Sequence, residues 1–177
     1  MKSNLNAKDI IIIRKNLDTK INKNWKIIKA ENMISKAAKK AGMYSGYDLN
    51  MLYNQIIQWT AHRIMIKGIL QTLNNGGKTF DFEEFKKTNN YSIFAANEAK
   101  EAIARWKAIP CLNPETKAQK GKKRMSKTET FTSAKIDAII SKLQLEANKH
   151  DAALAKFNDS TTIEVDADED FNANLAG

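Results

Sequence analysis

The sequence predicts an all-α fold: a long antiparallel helical hairpin, two or three further helices, an elongated outline and a short extended C-terminal segment. Two observations carry that expectation. Apolar residues recur at steps of three and four through most of the 177 residues, the spacing that lines one face of a helix. Glycine and proline are scarce, at 7 and 2 residues, which argues against a sandwich or barrel with many tight turns.

The first helix is expected over Ala7 to Ala41. Ile10, Ile13, Leu17, Ile21, Trp25 and Ile28 share one face, and Asp9 sits where the helix dipole favours a carboxylate. Gly42 after Lys39 and Lys40 is the stop signal. Asp48 caps the second helix, the best patterned of all, in which Leu49, Leu52, Ile56, Trp59, Arg63, Ile66, Leu70 and Leu73 form the seam. Tyr53, Ile57, Ile64 and Ile69 widen that stripe. Two helices of similar length joined by a short loop make an antiparallel hairpin.

Asn74-Asn75-Gly76-Gly77 ends the second helix. Lys78 to Phe80 reads as a short extended piece, and Asp81 caps a brief helix containing Phe82 and Phe85. A further helix is expected over Ser92 to Ile109, with Phe94, Ala99, Ala102, Ile103 and Trp106 on its apolar side and Pro110 closing it. Asn113 to Thr130 is almost without apolar residues and reads as a mobile basic loop. A last helix follows over Ser133 to Phe157, its seam Ile136, Ile140, Leu143, Ala147, His150, Leu154 and Phe157. The expected organisation is a hairpin and helical middle over 1–110, a basic linker over 111–131, a helix with an extended end over 132–165, and an acidic tail over 166–177.

Composition bounds the chemistry. The single cysteine, Cys111, leaves no internal disulfide to form and fits a reducing compartment. No apolar run approaches the roughly 20 residues of a membrane helix, and the first residues lack the apolar core of a signal peptide. The expectation is a cytoplasmic protein, or one of a host cytoplasm or virion, that meets no membrane. A net charge of +9 favours anionic partners through long-range attraction.

The candidate catalytic motifs fail on context. Gly76-Gly77-Lys78-Thr79 resembles the end of a phosphate loop, but position 72 is threonine and a helix precedes it where a strand is required. Arg124-Met125-Ser126-Lys127-Thr128 resembles the lysine-methionine-serine-lysine-serine loop of class I aminoacyl-tRNA synthetases, without the domain or the second signature of those enzymes. His62, His150 and Cys111 are isolated, with no metal-ligand spacing. Glu83 and Glu84 are adjacent and point apart on a helix. His150 lies on an apolar seam, where a packed imidazole is the ordinary reading. No catalytic residue, cofactor or metal is therefore expected.

Two sets of residues remain as candidate surfaces. Lys117, Lys120, Lys122, Lys123, Arg124 and Lys127 could neutralise phosphates, giving salt-dependent binding to a nucleic-acid backbone. Phe131 is the nearest aromatic residue, so base stacking has little support there. Tyr53, Ile57, Arg63, Ile64 and Ile69 are the candidates for a protein partner or for self-association. Arg63 admits two readings: a pair with an internal carboxylate that sets helix register, or a dock for a partner's acidic group.

The hairpin from Asp9 to Leu73, the Gly76-Gly77-Lys78-Thr79-Phe80 turn into an acid-started helix, and Ala152-Ala153-Leu154-Ala155-Lys156-Phe157-Asn158 followed by Thr161-Thr162-Ile163-Glu164-Val165 together resemble septicolysin-like small helical-hairpin proteins of bacteria and phages. The resemblance spans about two thirds of the chain, and the basic stretch around Lys117 to Lys127 departs from it. It implies a helical scaffold of prokaryotic or phage origin and carries no catalytic residue. The reading is a non-enzymatic, phage-encoded interaction or assembly protein, either a virion component or a modulator of a host or phage protein. The alternative is a nucleic-acid-associated protein that binds phosphate through the basic loop.

Overall fold

A computed structural model describes residues 4–35, 41–42, 46–112 and 127–162. It is mainly helical, as expected. In chain order the elements are α1 (Ala7–Glu31), β1 (Met33–Ser35), α2 (Leu49–Asn74), α3 (Phe82–Phe85), α4 (Asn89–Lys107), β2 (Lys127–Glu129) and α5 (Ser133–Ser160).

Local chemistry sets most of the helix starts. Asn6 and Asp9 form a reciprocal capping box on α1, satisfying amide donors that the first turn would otherwise leave open. Asp48 accepts from the Asn50 and Met51 amides at the start of α2. Asp81 does the same for Glu83 and Glu84 in α3. Thr88 and Thr132 cap α4 and α5 through Tyr91 and Lys135. The Thr88 cap starts α4 three residues before the expected Ser92, and α4 ends at Lys107, short of Ile109. Lys78 to Phe80, expected to be extended, belongs to no strand.

The first helix stops at Glu31, not at Ala41. Asn32 is the reason. Its side chain is fully buried, donating to the carbonyls of Pro110 and Phe131 and accepting from the Phe131 amide, all within 2.7–2.9 Å. Those long-range bonds outweigh one more helical turn. Met33–Ser35 then turns into a short ladder with Lys127–Glu129, antiparallel, with Ile34 opposite Thr128. So residues 127–131 are not part of a mobile loop, and Phe131, 1% exposed, lies in the core.

α1 and α2 do pack antiparallel, but the connection over residues 32–48 includes β1 and is not a simple short loop. α4 and α5 make a second antiparallel pair, with α4 also against α2. The main core gathers where α1 and α4 end and α2 and α5 begin: Trp25, Ile28, Leu52, Ile56, Trp106, Ile109, Phe131 and Ile136. Trp106 touches Trp25, Tyr53 and Phe131 edge to face, with ring centroids 4.8–5.2 Å apart, a favoured aromatic geometry. A second cluster, Ile10, Leu17 and Ile66, sits inside the first hairpin and includes Ile69 at its edge.

α5 runs three residues beyond the expected Phe157. Of its expected seam only Ile136 and Ala147 are buried, and Phe157 is exposed. Thr161 is extended, while Ile163 to Val165 and the acidic tail lie outside the described residues.

Candidate functional site

α4 is covered on one side by the first hairpin and on another by α5. Between α2 and α5 its third side is open, leaving a groove of about 670 Å³. The helix period fixes its walls. Tyr53, Ile56, Ile57, Thr60 and Ile64 face it from α2; Ser92, Ala95, Ala99 and Ala102 from α4; Leu143, Glu146, His150 and Ala153 from α5. The α4 and α5 sets step by three or four, and the α2 set does so apart from the adjacent Ile56 and Ile57, so all three helices turn one face to the same space.

The groove has two unlike ends. At one, Trp25 and Tyr53 close it, backed by Trp106 and Phe131, and α2 meets α5 through Lys135 Nζ and Asn50 Oδ1 at 2.9 Å. At the other stand Lys86 and Lys87 after α3, and Lys149 on α5. Lys86 and Lys87 bond Glu83 and Glu84 at 2.7 and 2.6 Å. Such exposed pairs contribute about 0.5 kcal/mol or less, so these ammonium groups can exchange partners readily. Lys149 has no ion pair among the described residues.

Polar side chains on the walls are mostly engaged. Ser92 Oγ lies 3.3 Å from His150 Nδ1, and the Tyr91 ring meets the imidazole edge to face. Burial first, and then the neighbouring Lys149 charge, hold the His150 pKa below the ordinary histidine value against the opposing pull of Glu146 and Asp151. His150 is thus neutral near pH 7. Asp151 turns away to Lys100 at 2.9 Å. Burial pushes the Tyr53 hydroxyl up, and Glu146 adds to the shift. The Trp106 ring nitrogen opposes it from nearby, although it makes no hydrogen bond of good geometry among the described residues.

Beneath the groove lies an ion network. Arg63 Nη1 donates to Asp18 Oδ1 at 3.0 Å, and Nη2 to Glu98 and to Glu101 Oε2, the latter at 3.1 Å. Lys67 Nζ reaches the second Glu98 oxygen at 2.8 Å. The side chains of Arg63 and Glu98 are 10% and 5% exposed. Burial works against the guanidinium charge, and Glu98, then Asp18 and Glu101, outweigh it and hold the Arg63 pKa above its ordinary value. The network ties α1, α2 and α4 together.

The five residues expected to meet a partner are therefore divided. Tyr53, Ile57 and Ile64 line the groove, with Ile57 51% exposed and Ile64 buried at its base. Ile69 packs into the first hairpin. Arg63 faces internal carboxylates, so its place is the structural pair and not an open dock for a partner's acid. Among the cations expected to meet phosphate, Lys127 stands in β2 opposite Ser35, and Lys117, Lys120, Lys122, Lys123 and Arg124 lie outside the described residues. Sequence reasoning missed the α4 and α5 walls. The alanine spacing Ala95, Ala99, Ala102 was the available signal for them.

Among the described residues no cluster of three or more His, Cys, Asp or Glu could hold a metal ion. Among them, too, no helix is long and apolar enough to cross a membrane. Comparison with protein-family models, curated proteins and solved structures finds no match. The likeness to septicolysin-like proteins rests on the residues of the sequence alone.

Proposed function

We propose that this protein is a non-enzymatic helical interaction protein, a virion component or a modulator of a host or phage protein, which works by holding a partner in the groove between α2, α4 and α5. The observation that carries this reading is the groove itself. Three helices turn periodic, largely apolar faces to a space that no described segment fills. Ile57, exposed there on the best-patterned helix, is the kind of residue a partner covers. The site offers a hydroxyl and an imidazole in Ser92 and His150, but Asp151 is turned to Lys100 and does not orient that imidazole, which speaks for binding over catalysis.

The test is paired substitution with the chain as bait. Ile57→Arg in the groove should abolish capture of a specific protein. Ile12→Arg, equally exposed at 47% but on α1, should leave it intact. Equal capture by both variants would overturn the groove as the working surface. The net charge supports a competing account in which the 117–127 cations bind a nucleic-acid backbone. Protein purified without nuclease that carries nucleic acid and sheds it in high salt would favour that account.

A further inference from the structure

Resting on the groove as binding surface, we infer that its occupant is an amphipathic helix of a protein partner, apolar on one face and carrying carboxylates at one end. The dimensions point to a helix. The groove walls run from Tyr53 to Ile64, from Ser92 to Ala102 and from Leu143 to Ala153. At 1.5 Å per residue each wall is about 15 Å long, close to three helical turns. The walls present their residues at the same period that a helix presents its own, which is the condition for ridges to enter grooves. Ala95, Ala99 and Ala102 keep the floor low, allowing a fourth backbone to approach α4.

Charge sets the end preference. Lys86, Lys87 and Lys149 gather at the open end. Glu98, the acid nearest the floor, is already neutralised by Arg63 and Lys67. Glu146 stands midway along the α5 wall, within electrostatic reach of both Tyr53 and His150. An incoming helix with carboxylates at the end that meets the lysines gains attraction there. The same helix with cations at that end meets Lys149, which has no ion pair among the described residues. It is repelled less by Lys86 and Lys87, whose charges are held in weak exposed pairs with Glu83 and Glu84. The net charge of +9 speeds the encounter with the acidic partner in the same sense.

Two fluorescein-labelled helical peptides of about 14 residues suffice for the test. Both carry leucines at alternating third and fourth positions, and they differ only in having glutamates or lysines at one end. Fluorescence anisotropy against the whole chain should give at least about tenfold tighter binding of the glutamate peptide, equivalent to roughly 1.4 kcal/mol. Reversing charge with Lys86→Glu and Lys149→Glu together should exchange the preference. Thr60→Trp, filling the groove, and Ile57→Arg, at an exposed wall position, should each abolish binding of both peptides while far-ultraviolet circular dichroism confirms that the chain stays folded. Equal binding of both peptides, unmoved by the lysine reversals, would overturn the acidic occupant and leave the groove standing. Binding of neither peptide, or binding indifferent to both Thr60→Trp and Ile57→Arg, would overturn the groove itself.

Discussion

The Arg63 guanidinium of α2 is bonded to the Glu98 carboxylate of α4, and both side chains are almost wholly buried. One charge at the floor of the groove therefore depends on another from a different hairpin. Removing Arg63 leaves the buried Glu98 with Lys67 alone, and removing Glu98 leaves Arg63 with the more exposed Asp18 and Glu101. Each loss therefore costs part of the roughly 3–5 kcal/mol of a fully uncompensated buried charge. Arg63→Met alone and Glu98→Leu alone should each lower the denaturation midpoint severely. The double variant should recover much of the loss, because burying two apolar side chains of similar size removes the desolvation penalty as well. Denaturant unfolding of the three variants measures the coupling; additive losses would mean that the pair does not act as a unit.

Asn32 joins the end of α1 to the segment before α5. Asn32→Leu should leave the buried Phe131 amide and the Pro110 carbonyl without their Asn32 partner, and the Phe131 carbonyl with only the weak Cys111 thiol donor. The cost is about 1–3 kcal/mol for each group that water cannot reach. A thermal melt should report it, and amide exchange should show Met33–Ser35 and Lys127–Glu129 opening before the helices do.

Gly68 lets α2 and α3 approach. A Cβ added there would lie 2.7 Å from the Phe85 ring, which is buried among Phe80, Phe82, Tyr91 and Phe94. Gly68→Ala should destabilise by about 1–3 kcal/mol through overpacking, although alanine is the better helix former. A gain in melting temperature would show that the ring moves aside freely.

Acid should weaken the α4–α5 pairing at His150. Its pKa is lower in the folded chain than in the unfolded one, so the unfolded state binds the proton first and stability falls as pH drops below about 6.5. Ser92, Tyr91, Lys149, Glu146 and Asp151 surround the ring, and the added charge meets Lys149 most directly. Between pH 7.5 and 5.5 the wild-type chain should lose more stability than His150→Gln. Equal losses would assign the acid sensitivity elsewhere.

The parts of the fold legible in sequence are those set by near neighbours. The α2 seam and its Asp48 cap, the Asp81 cap on α3 and the start of α5 after Thr132 all follow from residues within a few positions. The α1 stop did not, because Asn32 is held by Phe131 from 99 residues away. Asn113 to Thr130 looked uniformly solvated because ladder pairing to Met33–Ser35 leaves no mark in the hydropathy of either strand. Arg63 was visible as a break in an apolar seam, but its partners Asp18, Glu98 and Glu101 come from two other helices. The groove shows the same division. Its α2 wall appeared as surplus apolar residues, while the α4 and α5 walls exist only once the two hairpins pack.

Alanine-methyl NMR of the whole chain, titrated with the acid-ended helical peptide, tests the groove most directly. Ala95, Ala99, Ala102 and Ala153 line it, whereas Ala7 and Ala30 are exposed on α1 and do not. The groove account predicts saturable shifts at the first four methyls and none at the other two. Shifts confined to Ala7 and Ala30, or absent throughout, would contradict it.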